Sequence, residues 1–129
     1  MLAVKLICVG KMREKFYIDA FSENALDKEA AEIIKNIPQD AYLAVMCVEG
    51  SQMASEELAE LVARQALSGR SKLCFVIGGS YGISPSVKKR ADIRLSMSKM
   101  TFPHHLARVM LAEQIYRAFK IYEGSRYHK

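Results

Sequence analysis

Three short apolar runs, at residues 2–9, 42–48 and 73–77, constrain the fold more than anything else in this chain. Each is strand-length, and each is nearly continuous in apolar character rather than alternating, the pattern of strands covered on both faces. Helical patterns separate them. The expected fold class is therefore α/β, with a mostly parallel sheet and helices on both faces. The chain has 129 residues, half of them hydrophobic, so residues 1–129 are expected to form a single domain with one modest core.

The intervening patterns have recognisable starts and stops. A helix is expected over about 14–21, and a second over 27–37 with Ala30, Ile33, Ile34 and Ile37 on one face, ended by Pro38. At 22–27 the two patterns meet with no strand between them. Glu49-Gly50 turns the chain, Ser55 is the expected N-cap of the next helix, and Leu58, Leu61, Val62 and Ala66 form its apolar stripe before Gly69 stops it. Ser84-Pro85 opens a short helix carrying Lys88, Lys89 and Arg90, and Ile93, Leu95 and Met97 alternate along a last strand. Pro103 is expected in the first turn of a long helix running to Ile121, where its missing N–H costs nothing. On that helix Leu111, Ile115, Phe119 and Tyr122 recur at helical spacing, and Glu113 stands four residues before Arg117.

The net charge is +5, but its placement says more than its size. Residues 1–15 and 73–129 are basic and 16–72 are acidic, so the positive segments are those that also carry the glycine-rich turn after residue 77. Such a distribution suits a polyanion partner; it also suits an ordinary solvated surface. Cys8, Cys47 and Cys74 all fall in apolar strand patterns, which points to reduced, buried thiols and a cytoplasmic protein rather than a disulfide framework. No apolar run reaches the length of a membrane span, and no membrane partner is expected.

Gly78-Gly79-Ser80-Tyr81-Gly82 follows the most apolar strand. It lacks the Lys-Ser/Thr ending of a phosphate-binding P-loop, and its spacing is not that of a dinucleotide fingerprint. Glycines here either turn the chain tightly or let the backbone approach a nucleoside-like ligand without phosphates. His104 and His105 are adjacent on a helix and point apart, with no carboxylate or thiol cluster beside them, so no metal is expected. Covalent catalysis has no support either: there is no nucleophile elbow, and no serine or cysteine pairs with a base.

Four segments, at 76–85, 95–104, 113–121 and the terminal Tyr127-His128-Lys129, resemble the RlmH family of ribosomal large-subunit pseudouridine-N3 methyltransferases in the SPOUT superfamily, and residues 7–17 are similar too. The resemblance implies a C-terminal deep trefoil knot, a homodimer, and S-adenosyl-L-methionine as cofactor. It implies methylation of N3 of pseudouridine 1915 in helix 69 of 23S rRNA, on the assembled ribosome. Carried over, the cofactor-binding positions are Met46, Gly78, Met97, Ser98, Lys99, Met100, Thr101 and Phe102; Tyr127 and His128 match the tail that completes the catalytic site from the partner subunit. Lys11, Arg13, Lys15, Lys88, Lys89 and Arg90 are the expected RNA contacts. The chain departs from the family by an internal deletion around residues 22–27. That departure leaves a second reading, a shortened, catalytically degenerate RNA- or ribosome-binding protein of the same fold.

Overall fold

The computed structural model describes residues 3–8, 30–78 and 82–124, His104 by its backbone alone. The elements within them are β1 (Ala3–Cys8), α1 (helical over residues 30–36), β2 (Tyr42–Gln52), α2 (Ser55–Leu67), β3 (Lys72–Ile77), α3 (Pro85–Arg90), β4 (Ile93–Ser96) and α4 (His104–Tyr122). The four strands form one parallel sheet in the order β1-β3-β2-β4. The expected helix at 14–21 and the shortened junction at 22–27 lie outside the described residues, as do Lys11, Arg13, Lys15, Tyr127 and His128.

In β2 and β3 the continuous apolar runs are explained by a core on each side of the sheet; β1, an edge strand, departs from the expectation, with residues 3–5 exposed and 6–8 half-buried. Ala44, Leu73, Phe75, Ile77 and Leu95 face Leu58, Leu61 and Val62 of α2 and Leu111 and Ala118 of α4. Leu43, Val45, Cys74 and Val76, one residue out of phase, face Ala30 and Ile33 of α1 and Val87 of α3. Strand period two thus sends successive side chains of β3 to opposite cores, and each must be apolar. The α1 face expected from the sequence is the one that packs, with Ile34 partly buried beside it.

Local details differ from expectation where packing overrides a sequence signal. Ser55 is not the N-cap of α2: Ala54 is, and its N–H donates to Glu57 Oε1 at 2.8 Å, while the Ser55 hydroxyl donates to Gln114 Oε1 on α4. Pro103 likewise stands at the N-cap of α4 rather than in its first turn, with its carbonyl accepting from Leu106 and Ala107 N–H at 3.0 Å each. Tyr122 is exposed, and Ala118, fully buried, takes the inward position instead. The Glu113–Arg117 pair forms at 3.0 Å.

The largest difference is at the end of β2. The strand does not stop at Glu49-Gly50 but continues to Gln52, with a register shift: Met46 and Ser51 both pair with Leu95 of β4. Gly50 makes this possible. A Cβ there would stand 2.7 Å from the carbonyl carbons of Arg94 and Leu95, so only glycine lets the two backbones lie this close.

Candidate active site

The carboxyl ends of β2, β3 and β4 open on a common cleft of about 500 Å³. In open parallel sheets this is the end at which ligands bind, because chain connections diverge there and leave a crevice. From β2 come Met46, Cys47, Val48 and Glu49; from the end of β3, Ile77 and Gly78; from β4 and the segment after it, Ser96, Met97, Ser98, Met100, Thr101 and Phe102.

Each wall has a local cause. Gly78 lies under the returning chain, where an added Cβ would stand 2.5 Å from both the Gly82 carbonyl oxygen and Ile83 Cγ1. Gly82 and Ile83 therefore pack on bare backbone at Gly78. Ser84 then caps α3 by accepting from Ser86 N–H at 3.3 Å, and Pro85 supplies a pre-set first helical residue. After β4 the chain is held in shape by serines: Ser96 Oγ donates to the Ser98 carbonyl at 2.8 Å, and Ser98 Oγ accepts from Met100 N–H at 3.1 Å. Ile77 is buried and Met46 and Met97 are half-buried, whereas Met100 is 72% and Phe102 36% exposed, so apolar surface is presented at a cleft open to water.

Of the residues expected to bind a cofactor, Met46, Gly78, Met97, Ser98, Met100, Thr101 and Phe102 line this one cleft; Lys99 is exposed and is not among its lining residues. The basic run on α3 divides. Lys88 lines the cleft and pairs with Glu49, Lys89 is exposed, and Arg90 borders a different groove at the opposite end of the sheet. Cys47 and Glu49 are lining residues that the sequence reading did not single out. The signal in the sequence is Glu49-Gly50 directly after an apolar strand, a pattern that by itself marks only a turn.

Electrostatics in the cleft centre on those residues. Lys88 holds the Glu49 carboxyl below the usual carboxylate range, chiefly through its hydrogen bond. Burial, then the Glu49 charge, pushes the Cys47 thiol up, and burial does the same to Cys8 and Cys74. All three cysteines are free. Among the described residues no group of histidine, cysteine or acidic side chains is placed to hold a metal, and no helix is long and apolar enough to cross a membrane.

A parallel α/β sheet with a partly apolar, nucleoside-sized cleft at its carboxyl end defines a class of small-molecule-binding domain in which the ligand is held largely by backbone and apolar side chains. The comparisons narrow the class. Residues 20–128 match the family described as Predicted SPOUT methyltransferase. The ribosomal RNA large subunit methyltransferase H of Bacillus pumilus strain SAFR-032 is 50% identical over 103 residues, 80% of this chain and 65% of that protein. Proteins of the same name from Bifidobacterium animalis subsp. lactis strain AD011 and Caldicellulosiruptor saccharolyticus are 40% and 38% identical over 157 and 154 residues, each match covering 98% of this chain and 99% of the relative. This chain belongs to the SPOUT methyltransferase family. Those longer matches exceed its 129 residues, so it lacks a stretch that these relatives carry.

Proposed function

We propose that this protein is an S-adenosylmethionine-dependent methyltransferase acting on RNA of the large ribosomal subunit, at N3 of pseudouridine 1915 in helix 69 of 23S rRNA on the assembled ribosome. The observation that carries the reading is the convergence of Met46, Gly78, Met97, Ser98, Met100, Thr101 and Phe102 on one cleft in a chain of this family. The residues suit the cofactor. Adenosine needs apolar surfaces edged by peptide groups, which Met46, Met97, Met100 and Phe102 supply beside a bare backbone at Gly78. When bound, the cofactor supplies an activated methyl group on a sulfonium. The protein's work is then alignment: holding the base in line and excluding alternatives contributes most of the acceleration, and basic side chains favour the deprotonated base. His128 is assigned the orientation or deprotonation of that base, with Tyr127 beside it, both reaching the site from a partner subunit.

A homodimer is part of the proposal. Leu111 is used up in the core, but Leu106, Val109 and Tyr116 leave an exposed apolar stripe on α4, 43%, 64% and 47% accessible, which a second copy would cover. A trefoil knot in the C-terminal half belongs to the same reading. The stretch missing relative to the longer matches favours one competing function, a degenerate protein that binds ribosomes without methylating them. A single experiment separates the two. Ribosomes lacking the modification are incubated with the protein and labelled S-adenosylmethionine, and helix 69 is analysed by mass spectrometry. A methyl group on the pseudouridine supports the enzyme; cofactor and ribosome binding without transfer supports the binding protein.

A further inference from the structure

Among the described residues lining the cleft, Lys88 is the one cation and Glu49 the one anion, and they are paired with each other. The remaining described lining is uncharged. An ion pair between exposed side chains is worth little by itself. Here the Lys88 side chain is 26% exposed against 55% for Glu49, so the cation is the more withdrawn partner. Both are fixed by what precedes or follows them: Lys88 comes after Val87, which is fully buried, and Glu49 precedes Gly50, pressed on the β4 backbone. Opposite charges therefore stand at a defined place in a cleft whose described lining is otherwise uncharged.

A neutral nucleoside would leave such a pair unanswered. S-adenosylmethionine would not, because beside its adenosine it carries an α-ammonium and an α-carboxylate on one carbon. Resting on the cofactor reading above, we infer that Glu49 and Lys88 hold this zwitterion, Lys88 Nζ donating to the α-carboxylate and the Glu49 carboxylate accepting from the α-ammonium. The pair need not break to do so. An ammonium has three N–H donors and a carboxylate two acceptor oxygens, so each partner keeps the other and gains a ligand group. The result is an alternating ring of four charges, every one flanked by its opposite. Cys47, kept as a thiol, adds no competing negative charge. A phosphate of RNA fits less well, because Glu49 repels it where it would welcome an ammonium.

The test compares ligands with and without the amino-acid tail. Calorimetric titration of the full chain with S-adenosylhomocysteine and with methylthioadenosine, which keeps the nucleoside but lacks the zwitterion, reads the tail's contribution directly. Lys88→Met is expected to weaken S-adenosylhomocysteine about tenfold, the size of one charge-assisted hydrogen bond, and to leave methylthioadenosine unchanged. Glu49→Gln should produce a smaller loss of the same selectivity, and Lys88→Arg should recover part of it; melting temperatures are measured in parallel to show that the variants fold. Equal losses for both ligands, or none, would overturn the assignment, as would a Lys88→Met variant that loses only ribosome affinity and so places Lys88 with RNA. If the unsubstituted protein binds neither ligand, the cofactor reading itself fails and this assignment with it.

Discussion

The two ends of the sheet make an instructive pair. At the amino end a groove of about 610 Å³, larger than the carboxyl-end cleft, is bordered by Asp40, Arg70, Lys72, Arg90 and Asp92. Two of these charges, Asp92 and Arg70, are turned to the fold. Asp92 accepts from Leu43 N–H at 2.7 Å and pairs with Arg70 at 3.4 Å, its own N–H donates to the Leu43 carbonyl at 2.8 Å, and Arg70 rests 5.8 Å over the Tyr42 ring. These contacts fasten the start of β2 to the start of β4. At the carboxyl end β2 and β4 stay paired through Gln52, and the space beside them is walled largely by methionines, a phenylalanine and bare backbone. Cavity size alone would choose the amino-end groove; the proposed cofactor site is instead the smaller cleft, where apolar side chains such as Met100 and Phe102 stay exposed.

The contrast can be tested from its strongest consequence down. Gly78→Val should weaken cofactor binding by about a hundredfold and lower the melting temperature as well, because its Cβ meets backbone that cannot rotate away. Calorimetry with S-adenosylhomocysteine and a thermal melt check both. At the other end Asp92→Ala should cost about 1–3 kcal/mol, mainly by leaving the Leu43 N–H without its acceptor, yet keep cofactor affinity unchanged. Denaturant unfolding and titration measure the two, and a matching loss of affinity would break the separation between the ends.

A third, smaller effect depends on pH. Lys88 lowers the folded-state pKa of Glu49, so the pair's stabilisation is complete above the ordinary carboxyl range and disappears as pH falls through the lowered value. The melting temperatures of the protein and of Glu49→Gln should therefore differ near neutral pH and converge in strong acid; a difference that persists there would contradict the pairing. Smallest of all, Glu113→Gln on α4, at neither end, should change stability by no more than about 0.5 kcal/mol in chemical denaturation and leave ligand binding alone.

Much of this was legible in the sequence. The run 73–77 announced a strand covered on both faces, and Ala30, Ile33 and Ile37 announced the helix face that covers it, because burial is a summed property that composition records. Termini were less legible. Ser55 has the chemistry of a cap but is held by Gln114 across the helix pair, and Tyr122 keeps the apolar spacing where only the small Ala118 is fully buried. The extension of β2 through Gly50 carries no strand signal at all; it follows from a tertiary contact with β4. At the site, Met46, Met97 and Met100 are indistinguishable from core methionines without the resemblance. Glu49 and Lys88 become a unit only when folding brings residues 39 apart in sequence together.

The closeness of Gly50 to β4 has a consequence for motion. Two backbones in contact leave no layer for solvent between them, so water reaches the amides that bridge the strands only when β2 and β4 separate. Those strands also carry two walls of the cleft. Hydrogen exchange at the bridging amides of residues 51–52 and 95–96 is thus expected to report the rare parting of the walls rather than the fraying of a strand end, and a ligand spanning both walls should slow it.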